Sequence, residues 1–247
     1  MQKTIRKLRL ILKNQREEDK NMKYAITVNE VKDSPNGLKG FASVTLGESF
    51  KIINVAIMEN AETKELFVSM PRYKTNEKDE NQKDIYQDIC NPITKEFREQ
   101  LYGDILTAFV TRNEKGKAKG KEETEAEMPK FSVKVTSYTQ EGSNVIGLAR
   151  VYFEDCFVVN NITIIQGKEN PFVSMPSYKT KEVDENNKPV YRDVCYPVTK
   201  EFREKLYGTI LETHQMEREK RLQDASGKSE NQTDKNQEPK SKKSKSK

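Results

Sequence analysis

The chain has a single histidine, only three cysteines, and no apolar run near the about eighteen residues that a membrane-spanning helix needs. A protein metal centre draws on about four ligands, so one histidine and three scattered cysteines predict neither a metal site nor a cofactor. Three cysteines in 247 residues do not build a disulfide framework either, and the expected compartment is reducing and cytoplasmic. Cys90 and Cys195, each two residues before a proline, read as small buried core residues. Export is not expected, because the short apolar stretch from Ile5 to Leu12 is broken by Lys7 and Arg9 and lacks a small-residue cleavage site. Catalytic patterns are missing as well. His214 has no serine or cysteine nucleophile in an evident motif, no glycine-rich phosphate loop or zincin pattern occurs, and Asp79 and Glu80 sit in a stretch crowded with its own charge. The chain reads as non-enzymatic.

What is abundant is charge, unevenly spread. The formal total is +5. Residues 23–110 carry 11 Lys/Arg against 14 Asp/Glu, and residues 130–213 carry 11 of each, so the excess of positive charge lies at the two ends.

The chain repeats itself. FVSMPRYKT, from Phe67 to Thr75, returns 105 positions later as FVSMPSYKT, from Phe172 to Thr180. YQDICNPITKEFREQLYG, from Tyr86, returns at the same offset as YRDVCYPVTKEFREKLYG, from Tyr191. Upstream, Gly40, Phe50 and Asn54 match Gly147, Phe157 and Asn161 at an offset of 107, which puts a two-residue deletion between Ile165 and Phe172, in an expected loop.

Each copy opens with apolar alternation, at Tyr24, Ile26, Val28 and Ala42, Val44, Leu46 in the first and at Phe131, Val133, Val135 and Ala149, Val151, Phe153 in the second. Turns around Gly47-Glu48 and Glu154-Asp155 lead to third strands from Phe50 and Phe157. The FVSMP strand follows, and then polar, acidic segments at 76–84 and 181–188 read as loops. Thr94 and Thr199 are expected helix N-caps, ahead of Phe97, Leu101, Ile105 and Phe202, Leu206, Ile210 at helical spacing. Gly103 and Gly208 fall inside these helices and predict a close helix-to-strand approach. The expected fold is α+β, two copies of a small antiparallel β-meander sheet, each with a C-terminal helix packed on it. The expected divisions are a basic extension at 1–22, a first domain at 23–110, a charged linker at 111–129, a second domain with an extended helix at 130–222, and a disordered Lys/Ser-rich tail at 223–247. Arg16-Glu17-Glu18-Asp19, read back as codons, is compatible with a purine-rich ribosome-binding sequence ahead of Met22, so translation is expected to start there.

The string F-V-x-M-P-x-x-K-T, followed by Y-x-D-(I/V)-C-x-P-(I/V)-T and a helix with F-R-x-x-L-Y, resembles the bacterial SpoVG family over residues 22–110 and again over 130–213. The resemblance implies a small regulator that binds DNA, and in some members RNA, with roles in septation, sporulation or gene expression. Family members dimerise by strand pairing, so the resemblance also implies that the two copies pair through strand edges as a single-chain pseudo-dimer. It places nucleic-acid contacts at Lys74 and Lys179 beside the MP turn, at Arg192, and at Arg98 and Arg203 on the helices. Gln87 replaces the arginine found at the Arg192 position, which implies a weaker first copy.

Lys95 and Lys200 share a helix face with Arg98 and Arg203, and they equally suit i,i+4 surface pairs with Glu99 and Glu204. Tyr73 and Tyr178 could stack on unpaired bases or simply pack at a strand end. The lysine-rich tail is either an electrostatic arm or a solubilising segment. The rival to a nucleic-acid regulator is a scaffold for division or regulatory proteins, which the neutral-to-acidic repeats suit.

Overall fold

Alternating apolar residues give each repeat one inward sheet face, and the two inward faces close on each other. The structure is a computed structural model that describes residues 22–112, 128–138 and 140–230. The expected basic extension, apart from Met22, the tail beyond residue 230 and the centre of the expected linker lie outside the described residues.

In the first repeat β1 (Tyr24–Glu30), β2 (Leu38–Leu46) and β3 (Phe50–Glu59) form an antiparallel meander, and β4 (Leu66–Ser69) pairs with the end of β3. β5 (Arg72–Lys78) and β6 (Asp84–Asp88) form a separate hairpin, followed by β7 (Cys90–Pro92) and helix α1 (Lys95–Val110). The second repeat follows the same order. Its sheet is β8 (Phe131–Ser137), β9 (Val145–Phe153), β10 (Phe157–Gln166) and β11 (Pro171–Ser174), its hairpin β12 (Ser177–Val183) and β13 (Pro189–Asp193), then β14 (Cys195–Pro197) and helix α2 (Lys200–Glu230). The α+β architecture of two antiparallel sheets, each followed by a helix, is the one the sequence predicts. Thr94 and Thr199 cap the helices as expected, their hydroxyls accepting from Phe97 N and Phe202 N.

The sheets are joined reciprocally. β7 of the first repeat pairs with β10 of the second, Cys90 opposite Val159, and β14 of the second pairs with β3 of the first, Cys195 opposite Ile52. Ile53 N donates to Val194 O at 2.9 Å and Asn160 N to Ile89 O at 2.8 Å, extending both ladders. The partner change along β3 and β10 falls at a bulge. Asn54 and Asn161 take left-handed φ of 61° and 57°, a conformation asparagine tolerates better than most residues. Before the bulge β3 pairs with the other repeat, and after it with its own β4.

One core results. Phe50 of the first repeat lies 4.8 Å from Phe153 of the second, centroid to centroid, and 6.4 Å from Phe202, while Phe97 meets Phe157 edge-on at 6.4 Å. Cys90 and Cys195 are both fully buried in it.

The structure corrects the sequence reading at several places. The segments at 76–84 and 181–188, expected as acidic loops, are the tips of two hairpins: residues 76–78, 84 and 181–183 belong to the strands and the rest form the turns. Their acidic character is partly turn chemistry, because Asp79 Oδ1 accepts from Asn81 N and Lys83 N, both at 2.8 Å, and Asp184 does the same for Asn186 and Lys188. The repeated threonine of the YKT motif bonds across each hairpin, Thr75 to Ile85 O and Thr180 to Val190 O. Gly103 and Gly208 make no close approach, since a Cβ at either would meet nothing within 4 Å. The close approach lies instead at Gly40 and Gly147, under Phe109 and His214, which are equivalent helix positions. His214 is therefore a core residue, its Nε2 3.2 Å from Ile146 O. The ends of the expected linker are anchored, Arg112 by an ion pair to Glu30 at 2.6 Å and Met128 by packing on the core. Helix α2 continues past Gln223 to Glu230, over residues expected to be disordered.

Candidate nucleic-acid interface

Two surfaces of each repeat carry the residues singled out from sequence, the hairpin and the first turns of the helix. On the first hairpin Tyr73 stands opposite Gln87 and Lys74 opposite Tyr86. On the second Tyr178 stands opposite Arg192 and Lys179 opposite Tyr191. The pairing brings a lysine and a tyrosine together on each hairpin. Most of the cations, however, already have partners. Lys74 Nζ lies 2.8 Å from Asp84, whose hydrogen bond and charge raise the lysine pKa. Arg192 pairs with Glu182 at 2.8 Å. Lys95 with Glu99, and Lys200 with Glu204, are i,i+4 pairs at 3.7 Å on the solvated helix face. Such exposed pairs contribute about 0–1 kcal/mol and are easily exchanged for another anion.

Arg98 and Arg203 have structural partners. Each donates through Nη2 to the carbonyl of the exchanged strand, Arg98 to Pro92 at 3.1 Å and Arg203 to Pro197 at 3.2 Å. Each also faces an aspartate at the foot of the hairpin. Burial raises the pKa of Asp88 and of Asp193, and the effect is partly offset by Arg72 and Arg98 at the first and by Arg203 at the second.

The tyrosines are half-buried. Tyr73 Oη donates to Gln87 Oε1, and Tyr178 reaches a cleft of about 400 Å³ on the first repeat, beside Phe67, Met70 and Arg72. Packing therefore occupies part of both rings. Tyr86 and Tyr191, not singled out from sequence, are more open, at 49% and 60% exposure. Pro189 stands where the first hairpin has Asp84, and Lys179 consequently has no ion pair among the described residues.

Sequence reasoning centred on the MP turn and the helix misses Arg150 and Tyr152 on the outer face of β9. The signal is a difference between the copies, since the equivalent positions in the first are Ser43 and Thr45. No group of three or more potential metal ligands occurs among the described residues, and no described helix is long and apolar enough to cross a membrane. Burial pushes the Cys156 thiol up to about 12, with Glu154 and Asp155 adding to the effect. The Cys195 thiol is held well above its ordinary value by a hydrogen bond with Cys90 and by burial, so neither is a ready nucleophile.

These features define a class: a duplicated α+β protein whose repeats complete each other's sheets and hold paired, lysine- and tyrosine-bearing hairpins at the junction. The SpoVG family profile matches residues 22–111 and again 128–216, and the chain belongs to that family. Among its relatives, the septation protein SpoVG of Phytoplasma australiense is 41% identical over 73 residues, 30% of this chain and 70% of the relative. Those of Treponema denticola and Caldicellulosiruptor saccharolyticus are each 31% identical, over 74 residues (30% of this chain and 73% of the relative) and 83 residues (34% and 86%). No solved structure matches the chain.

Proposed function

We propose that the chain is a non-enzymatic cytoplasmic regulator that binds nucleic acid, DNA or RNA, and works as a single-chain pseudo-dimer. Its relatives' name ties the family to septation, and control of division, sporulation or gene expression is the corresponding role here. The observation that carries the reading is the second hairpin, where Lys179 is exposed, has no ion pair among the described residues and stands opposite Tyr191 on one face, with Arg192 on the other face opposite Tyr178. Phosphates supply most of the non-specific affinity of such proteins, and Lys74, Lys95, Lys200 and Arg192 can exchange exposed carboxylates for them. Arg98 and Arg203 serve chiefly to hold the helices to the exchanged strands. Reciprocal strand pairing supports the pseudo-dimer.

The test is fluorescence anisotropy of the full chain with single- and double-stranded DNA and RNA over a range of salt. Lys179→Ala should weaken duplex binding and reduce the salt slope by about 0.9, the value for one phosphate contact on B-DNA. Lys74→Ala, which removes a lysine already paired, should do less. Binding that disappears on deleting residues 224–247 would place the affinity in the tail and not in the repeats. A second reading has its own support: the repeats have no net positive charge and four candidate cations are ion-paired. If the unaltered chain binds no nucleic acid at low salt, that reading, a scaffold for protein partners, replaces the first.

A further inference from the structure

The outer face of the second repeat's sheet forms a cleft of about 550 Å³ with the first repeat's hairpin and exchanged strand. That size lies within the ~300–1,000 Å³ usual for ligand sites. Its floor follows directly from strand register. Tyr152 on β9 is opposite Val158 on β10, which is opposite Asn91 on β7, so the three share one face. Arg150, two residues before Tyr152, lies on the same face opposite Lys134 of β8. The Lys134 ammonium sits 5.2 Å from the centre of the Tyr152 ring. Asn160 and Asn161 enter from the β10 bulge, and Tyr86 and Gln87 from the hairpin of the first repeat. The site is thus composite: neither repeat holds it alone.

Its chemistry is specific in kind. Neither Arg150 nor Lys134 has an ion pair among the described residues, whereas Lys74, Arg192, Lys95 and Lys200 do. The one carboxylate in the lining, Asp88, faces Arg72 and Arg98. Aromatic rings beside unpaired cations, with several side-chain amides between them, match a chain of phosphates carrying exposed bases. The amides are partly engaged, Asn91 Nδ2 donating to Pro92 O, Asn160 Nδ2 to Asp88 O and Gln87 Oε1 accepting from Tyr73 Oη, which leaves Asn91 Oδ1, Asn160 Oδ1 and Gln87 Nε2 to face a ligand. An acidic peptide would use the cations but would not stack on the rings.

The first repeat is an internal control. At the positions of Lys134, Arg150 and Tyr152 it has Thr27, Ser43 and Thr45, on strands of the same register. The equivalent face there carries a different set, Lys51 opposite Thr45 and Tyr196 opposite Lys51, so the arrangement of Lys134, Arg150 and Tyr152 belongs to the second repeat's sheet.

We infer that this seam cleft binds single-stranded nucleic acid, with Arg150 and Lys134 on phosphates, Tyr152 and Tyr86 against bases, and Asn91, Asn160 and Gln87 on base edges. The inference rests on the nucleic-acid reading above and narrows it to unpaired strands and to one face. It is tested by transplanting the first repeat's own residues, Lys134→Thr, Arg150→Ser and Tyr152→Thr together, into the full chain. The probes are labelled oligothymidylate and oligouridylate of about twelve nucleotides, within the site sizes common for single-strand binders, and a duplex of the same length. Single-strand affinity should fall at least about fivefold, the loss of one stacked base. Its salt slope should drop by about 1.4, two contacts at ~0.7 each, while duplex binding through Lys179 is kept. The DNA and RNA arms show whether a 2′-hydroxyl contributes. Unchanged single-strand binding in a variant with a normal circular dichroism melt overturns the cleft and leaves the broader reading standing. Equal competition by polyglutamate overturns it as well. No binding of any nucleic acid by the unaltered chain removes both. Should the triple variant fail to fold, Arg150→Ser alone, at an exposed position, decides by a salt-slope change of about 0.7 or none.

Discussion

If the two repeats form one core, a cavity made in one must be felt by both. Phe153 is the place to make it. It belongs to the second repeat, is fully buried, and packs 4.8 Å from Phe50 of the first as well as 6.4 Å from Phe131 and from Phe202. Truncating a buried phenylalanine to alanine costs about 3–5 kcal/mol, and the aromatic contact across the junction adds to the area term by about 0.5–1.5 kcal/mol. A loss of about 4 kcal/mol is a large fraction of the ~5–15 kcal/mol that holds a typical protein folded. With a urea dependence of ~3 kcal/mol per molar, suited to a cooperative unit larger than a small domain, the midpoint of Phe153→Ala should fall by about 1.3 M.

The chain has ten tyrosines and no tryptophan, so the assay combines far-ultraviolet circular dichroism with tyrosine fluorescence. Native-state amide exchange then separates the repeats, reading Val44 and Ile52 against Val151 and Ile162, all in the core strands. The expected result is one transition by both optical probes and a comparable loss of protection in both repeats. Two transitions, with the amides of the first repeat keeping their protection, would refute the single core. A loss below about 1 kcal/mol would refute the packing argument itself.

Three further outcomes follow from particular side chains. Cys90, Cys156 and Cys195 are all buried and two have raised thiol pKa values, so iodoacetamide at pH 8 should label none quickly in the native chain and all three in urea, counted by mass spectrometry. Burial raises Asp88 and Asp193 above their ordinary 3.8, so the folded state binds more protons than the unfolded state between 3.8 and the raised values. The contribution of these groups to stability is thus fully present below the unfolded value and is lost as pH rises through the window. Asp88→Asn with Asp193→Asn should therefore flatten the pH dependence of the melting temperature there, and an unchanged profile would argue against the burial effect. Gly40→Ala should destabilise by about 1–3 kcal/mol, more than Gly147→Ala. Its new methyl would meet the backbone oxygen of Asn29 at 2.6 Å, whereas at Gly147 the nearest atoms are the side chains of His214 and Ile164. Paired thermal melts check the order.

The repeat, the meander strands and the capped helices were legible because they rest on local signals: identical strings, period-two alternation, and threonine ahead of a helical stripe. The β5–β6 and β12–β13 hairpins were not, because their strands are short, mostly polar and largely exposed, with only a half-buried alternation at Tyr73 and Thr75 and at Tyr178 and Thr180. Their backbone ladders are supplemented by the side-chain bonds of Asp79 and Thr75, and of Asp184 and Thr180. The cost of Gly103 suggested a contact the helix does not make, while Gly40, where the contact is, sits in a strand with nothing local to mark it. Among the site residues, Arg98 and Arg203 repeat in sequence, but repetition does not distinguish a ligand contact from a bond to the Pro92 or Pro197 carbonyl. Arg150 and Tyr152 escaped notice because a search for sameness between the copies passes over the positions where they differ.

Those differences bear on why two such units share a chain. Joining two modules in one chain makes their association intramolecular, so a junction built from three-residue strands can persist without strong affinity between separate chains. Tethering also removes the constraint of symmetry. In a dimer of identical chains, a substitution such as serine to arginine at the Ser43 position would appear on both faces. In this chain it appears at Arg150 alone. The same holds for Pro189, which frees Lys179 while Asp84 still holds Lys74, and for Arg192 opposite Tyr178 where the first hairpin has Gln87 opposite Tyr73. Each change adds a cation, or releases one, on the second repeat. The aromatic positions at the junction, by contrast, are kept, Phe50 with Phe157 and Phe97 with Phe202, because each packs across it, whereas at the helix end Phe109 gives way to the buried His214. Divergence at the outward faces thus gives the second repeat its own set of cations, with the first repeat's hairpin as one wall of its cleft.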